Sequence, residues 1–218
     1  TDIAVAVVPV GTGNDFGRAF GIGRGAPELA ATPRESATIR EIDLIATTGT
    51  PPQYAATVLT AGYSGRVNAT ANAMRFPPGS AKYTVAALRE LGRLGSRFVK
   101  LTLDLPDGSV EVIEEPMTLI AVGNTAWFGG GMEVCPGADP QDGLLDVISV
   151  GLLGRTEFAR WLPTVFKGRH CEHPQVNRVR AREVTVETGE GLWADGEPFG
   201  SAPMTLRAAP GALRLVTP

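Results

Sequence analysis

The residues of this chain that could do chemistry fall in three short stretches. Gly11-Thr12-Gly13-Asn14-Asp15 follows an apolar, mostly β-branched run from Ile3 to Val10 and precedes Phe16, Ala19 and Phe20, with Gly21 as a stop. This reads as a buried strand, a loop and a helix start that Asn14 and Asp15 can cap. Backbone N–H groups, the positive end of a helix dipole and the Thr12 hydroxyl would then converge on a spot suited to a phosphate. No Lys follows the glycines, so the pattern is neither a P-loop nor the full dinucleotide fingerprint, and a plain tight turn also accounts for it. In the second stretch, LWADGEP, Asp195 and Gly196 sit where a two-residue hairpin turn would be, with Glu197 directly after them. The turn is the plainer reading; a carboxylate held rigidly there could instead accept the proton of an attacking hydroxyl in phosphoryl transfer. In the third, Asp139 and Asp142 share an irregular loop with Pro140 and Gly143. They could gather a hard cation such as magnesium with carboxylate and backbone oxygens, or form a solvated turn.

Other polar groupings carry less. RHCEH (169–173) holds both histidines and Cys171, but a structural zinc takes four ligands and only the distant Cys135 could add to them. The simpler expectation places His170 at the end of the preceding helix, where a partly cationic ring meets the dipole favourably. Arg89 and Arg93 follow Lys82 at helical spacing, opposite Val85, Leu88 and Leu91, as a solvated face or a contact for anionic lipid. Nothing resembles a Ser-His-Asp triad.

These stretches must be positioned by sheets. Segments 37–47, 53–63, 97–105, 110–115, 117–124, 146–150, 182–187 and 204–208 read as strands, with a further one around Leu192–Asp195 and a hairpin across the turn at 106–109. Helices are expected near 65–75, 80–95 and 155–167, the last from the spacing of Phe158, Trp161, Leu162 and Val165. The sheets are therefore largely antiparallel. The opening apolar strand, which suits a parallel sheet, is an orphan among them. Its exposed edge invites pairing with a second copy of the chain as a homodimer.

Composition bounds the function. The chain has 218 residues, 43% of them hydrophobic, and no window of transmembrane length. A net charge of −3 argues against a general nucleic-acid binder. Two cysteines and no signal-peptide pattern point to a reducing cytoplasm.

Read in order, GTGNDFGRAFGI, AGYSGRVNATANAMRFPPGSAKYTVAALREL, GGGMEVCPGADPQDGLLDV and WADGEP make the chain resemble the bacterial diacylglycerol kinase and lipid kinase family, related to sphingosine kinases. The resemblance covers essentially the whole chain. It implies a mainly β, α+β fold: residues 1–25 as the end of a nucleotide-binding α/β domain, and 26–218 as the β-sandwich domain of the NAD kinase and diacylglycerol kinase type. It implies that the GGDGT-bearing half of the nucleotide domain would precede the chain. It further implies ATP and Mg²⁺ as cofactors and, as partner, a diacylglycerol-like lipid reached from the cytoplasm at the inner membrane face. By the same resemblance Thr12 contacts the nucleotide phosphates, with Gly11, Gly13, Asn14 and Asp15 shaping the loop. Asp142 holds magnesium with backbone oxygens around Asp139 and Leu144, Glu197 is the base, and Asp195 orders the site. The family commonly carries an acid at the position of Ser64, where this chain offers a hydroxyl. Two other readings remain: a lipid-binding module of the same fold without catalysis, and an NAD kinase, whose serine- and threonine-rich segment the chain lacks.

Overall fold

The computed structural model describes residues 3–11, 13–23, 37–79 and 81–218. Two six-stranded sheets dominate it. The strands are β1 (Thr38–Thr47), β2 (Tyr54–Ala55), β3 (Val58–Gly62), β4 (Arg97–Asp104), β5 (Val110–Met117), β6 (Leu119–Gly123), β7 (Trp127–Phe128), β8 (Met132–Glu133), β9 (Leu145–Val150), β10 (Val176–Ala181), β11 (Glu183–Thr188), β12 (Gly191–Ala194), β13 (Glu197–Ser201) and β14 (Met204–Thr217). The first sheet runs β2-β1-β14-β11-β4-β5 and the second β10-β9-β6-β3-β12-β13, with β7 and β8 as a separate ribbon. All these pairings are antiparallel. The β-sandwich expected from the sequence is thus the observed architecture.

The two sheets differ in how they are covered, and their sequences show it. Along β4 burial alternates, with Val99, Leu101 and Leu103 turned inward and Lys100 and Thr102 outward. The first sheet has one wet face. In contrast β6 and β9, LIAVG and LDVISV, are buried at every position. Ile120, Val122, Leu145 and Val147 meet Leu101, Val184 and Leu206 between the sheets, whereas Leu119, Ala121, Ile148 and Val150 pack on the other side against Tyr63, Phe158, Trp161 and Val165. A strand covered on both faces needs apolar residues throughout, which is why these two read as unbroken runs.

The covering elements are α2 (Tyr63–Ala73), α3 (Ala81–Gly92) and α4 (Arg155–Trp161), the last continuing into 3-10 turns at Leu162–Lys167 and Arg169–Glu172. The three expected helices are present within a few residues of their expected spans. The buried face of α3, however, is Ala86 and Glu90, and Val85 and Leu88 are exposed. Glu90 can be buried because Thr70 Oγ1 donates to it at 2.8 Å and Arg66 and Arg93 lie at 3.9 and 3.6 Å.

Two other expectations are corrected. Residues 3–10 were expected to form a strand buried on both faces, yet Ile3 and Val10 are exposed and a single parallel bridge joins Val5 to Leu215. No second strand flanks this segment among the described residues, so only Val5 pairs, through Val5 N to Arg214 O at 2.8 Å and Val216 N to Val5 O at 2.9 Å. A short helix α1 (Asp15–Ala19) follows, and Phe20 and Ile22 anchor it on Ile42 and Leu215. The expected domain boundary at residues 25–26 lies outside the described residues. His170, expected to be partly cationic, is buried, and burial lowers its pKa more than any neighbour raises it. Its Nε2 donates to Val134 O at 2.9 Å, and Trp161 stands edge-on to the ring at 5.8 Å. Desolvation outweighs the dipole.

A pH dependence follows. An imidazole whose folded pKa lies below its unfolded value of about 6.5 binds fewer protons folded than unfolded, so stability is full above that value and declines as pH falls below it. We expect the melting temperature to drop between pH 7.5 and pH 5, and His170→Gln, which keeps a donor for Val134 O without titrating, to flatten that drop. An equal drop in the variant would remove His170 as the cause.

Candidate functional site

The glycine loop, the hairpin turn at Asp195 and the GGG stretch meet around one cavity of about 770 Å³. Thr12 lies outside the described residues. Around it the loop is closed by its own side chains. Asn14 adopts a left-handed conformation (φ 53°) and its Nδ2 donates to Gly11 O at 2.7 Å, while its carbonyl accepts from Arg18 N at 2.9 Å as the first bond of α1. Asn tolerates this backbone region better than other non-glycine residues. Asp15, rather than capping its own helix, reaches across and accepts from Gly130 N at 2.7 Å. Gly129, Gly130 and Gly131 all have positive φ, at 64°, 88° and 107°, so the ribbon between β7 and β8 turns back sharply beside the loop. A Cβ on Gly13 would stand 3.2 Å from the Asp15 carboxylate and 3.6 Å from Gly130 N, which leaves little room for a side chain there.

The opposite wall is the β12–β13 hairpin. Ala194 pairs with Glu197, leaving Asp195 (φ 52°) and Gly196 (φ 88°) as the two-residue turn that the sequence signalled. The Asp195 carboxylate is fully engaged: it accepts from Ala56 N at 2.8 Å, from Thr57 N at 2.9 Å and from Thr57 Oγ1 at 2.5 Å. It therefore ties the turn to the start of β3, a holding role. Glu197, two residues beyond Asp195, is exposed and is not among the residues that line the cavity, and its carboxylate makes no hydrogen bond or ion pair among the described residues. One carboxylate is fixed and its neighbour is free.

The loop 139–144 lies elsewhere. Asp142, Gly143 and Leu144 line a separate depression with Asp104, Arg182 and Arg207, and none of them reaches the cavity of the glycine loop. Asp139 Oδ1 accepts from Gln141 N at 3.1 Å and Asp142 Oδ1 from Leu144 N at 3.0 Å, both local turns. The other Asp142 oxygen pairs with Arg180. Partial burial raises the Asp142 pKa against the opposing pull of the Leu144 amide and Arg180. No group of three or more His, Cys, Asp or Glu able to hold a metal occurs among the described residues. Ser64, where an acid was expected by resemblance, is buried in the first turn of α2 with its Oγ unpartnered.

Sequence reasoning missed the residues that link these places. Asp43, in the middle of β1, is buried; its carboxylate accepts from Gly143 N at 2.8 Å and Gly211 N at 2.9 Å, and its own N–H donates to Pro140 O at 2.7 Å. The buried Asn124 donates to Asp43 O at 2.8 Å and to Ala56 O at 3.1 Å, and its backbone N–H donates to Thr57 O at 2.9 Å. A continuous hydrogen-bonded chain thus runs from the 139–144 loop through Asp43, Asn124 and Thr57 to Asp195. The signal was available as an acid in an otherwise apolar strand, IDLIAT, and an amide ending another, LIAVGN.

The fold is thus a two-sheet sandwich whose glycine loop faces an acidic hairpin turn across one cavity. Residues 57–217 match the YegS C-terminal NAD kinase beta sandwich-like domain, and residues 1–47 match the diacylglycerol kinase catalytic domain. The whole chain is 38% identical to the diacylglycerol kinase of Mycobacterium tuberculosis over 70% of that protein, and 31% identical over 69% of a Pseudomonas aeruginosa protein named "Probable lipid kinase YegS-like". Its fold matches the solved structure of a diacylglycerol kinase from Bacillus anthracis with a TM-score of 0.69, at 21% identity over 69% of that chain. The chain belongs to the lipid kinase family that contains the diacylglycerol kinases and the YegS-like proteins.

Asp43 offers a test of the linkage. Hydrogen bonds to a charged acceptor are each worth about 1.5–3 kcal/mol, and Asp43→Ala leaves the part-buried N–H groups of Gly143 and Gly211 without that acceptor. We expect that variant to lose at least about 2 kcal/mol in urea unfolding. A loss under about 0.5 kcal/mol would show that the 139–144 loop is held by other contacts.

Proposed function

We propose that this chain carries the acceptor side and the phosphate loop of an ATP-dependent lipid kinase acting on a diacylglycerol-like hydroxyl. The observation that carries the reading is the pairing, across one cavity, of the glycine loop with a hairpin turn whose Asp195 is fixed by three hydrogen bonds, with the free Glu197 next to that turn just outside the cavity lining. In that site Thr12 and the backbone around Gly11 and Gly13 bind nucleotide phosphates, and Asp195 keeps the turn rigid. The lipid hydroxyl oxygen attacks the γ-phosphorus while Glu197 takes its proton; the bond from that phosphorus to the bridging oxygen breaks and ADP leaves with the electron pair. Phosphoryl transfer draws chiefly on positioning and charge stabilisation, so the remaining nucleotide-binding part of the catalytic domain is required with this chain for turnover.

A magnesium ion, when bound, would neutralise phosphate charge or order a loop. The oxygen donors of Asp139 and Asp142 have the hardness it requires, and the fit at Asp142 requires it to displace Arg180. Among the described residues no helix is long and apolar enough to cross a membrane. We place the encounter with a lipid acceptor at the inner membrane face, for which Lys82 and Arg89 of α3 and Arg93 directly after it are suited.

Two measurements test this. In the full-length protein Glu197→Gln keeps size and hydrogen-bonding capacity but cannot accept the proton, and a general base is typically worth about 10²–10⁴ in rate. We expect kcat for lipid phosphorylation to fall in that range with KM for ATP unchanged; a wild-type kcat would leave Glu197 as a hairpin residue only. Separately, millimolar Mg²⁺ should raise the melting temperature of the wild type and not of Asp142→Ala. Equal shifts in both would place the cation elsewhere.

A further inference from the structure

The lining of the cavity mixes polar groups with aromatic rings: Gly11, Asn14 and Asp195 line it, and so do Phe16, Trp193, Phe128 on β7, Tyr83 on α3 and Phe166 on the 3-10 turn at 162–167. Phe166 is the unusual one. It is 56% exposed, although the residue before it, Val165, is 3% exposed and locked into the core with Phe158 and Trp161. The turn that carries it is fixed, because Thr164 Oγ1 donates to Trp161 O at 2.6 Å and Trp161 Nε1 donates to His170 O at 3.2 Å. A rigid turn therefore holds a large apolar ring at the rim of a cavity, where it gains nothing for the fold. Tyr83, which also lines the cavity, is half-buried, with the Lys82 ammonium 5.2 Å from its ring centroid.

We infer that Tyr83, Phe128 and Phe166 form an aromatic lip that receives the hydrocarbon of the acceptor lipid, with Phe166 as the residue that sets the preference for long acyl chains. The inference rests on the lipid kinase reading and specifies its substrate side. An acceptor whose hydroxyl sits beside the Asp195 turn must carry its chains out of the cavity, and the rings supply a wetted apolar surface that such chains would cover. The α2–α3 hairpin that carries Tyr83 is apolar outside the cavity as well: its Phe76, Val85 and Leu88 are 80%, 41% and 65% exposed. An adenine ring is the other ligand that aromatic side chains could stack against. A ring held inside the cavity would leave the exposed Phe76, Val85 and Leu88 outside it uncovered, whereas chains that leave the cavity can lie on them, so the lipid is the better occupant.

The experiment uses the full-length protein and two diacylglycerols, one with water-soluble short chains and one with long chains dispersed in detergent micelles. Phe166→Ser should lower kcat/KM for the long-chain acceptor by roughly tenfold, leave the short-chain acceptor within about twofold, and leave KM for ATP unchanged; Phe166→Leu should restore most of the loss. Losses shared equally by both acceptors, no loss with either, or a raised KM for ATP would each overturn the lip while leaving the kinase intact. A wild-type protein that phosphorylates neither acceptor would overturn the kinase reading and this proposal with it.

Discussion

The constraint on which the rest of the structure depends is that the inner strands of the second sheet are buried on both faces. Its inner strands β6 and β9 pack against the first sheet on one side and against Tyr63, Phe158, Trp161 and Val165 on the other. Chemistry cannot reside on the faces of such a sheet. It is pushed to the strand ends and the turns that join them, where Asn124 follows β6, Thr57 precedes β3, and the Asp195 turn joins β12 to β13. Loops mounted on a double-sided core inherit its rigidity, which a phosphoryl-transfer site requires because its catalysis is mostly a matter of position.

The hydrogen bonds that follow from this arrangement are economical. Buried polar groups must be paired, and in this chain the pairing of Asp43 and Asn124 also spans two loops that the strands alone would not connect. Asp195 extends the same logic to the hairpin. The side chains that hold the site are thus distinct from the one left free, Glu197. Two acids two residues apart receive different roles from their surroundings, one saturated by donors and the other open to solvent.

Much of this was legible in the sequence. The alternation in RFVKLTLD and the unbroken runs in LIAVG and LDVISV disclosed strands with one and two covered faces. The Asp-Gly pair disclosed a two-residue turn because both of its positions need positive φ. What could not be read was long-range pairing. The pattern of α3 set Val85 and Leu88 opposite its arginines, but the partner of Glu90 lies on α2, and that contact decides which face is buried. The strand β10 was passed over because VNRVRA carries arginines that are satisfied only by Asp142 and Asp146, outside the strand itself. His170 likewise reads as a helix-end cation in the sequence, because nothing local to it announces its burial against Trp161 and Val134.

The account stands on one claim, that the cavity between the glycine loop and the Asp195 turn transfers a phosphoryl group to a lipid. Incubating the full-length protein with ATP labelled at the γ-phosphate and a mixture of diacylglycerol and NAD tests it directly, because the products separate between organic and aqueous phases. The account predicts label in the organic phase as a phosphorylated diacylglycerol. Label in NADP, or release of inorganic phosphate with no labelled lipid, would contradict it.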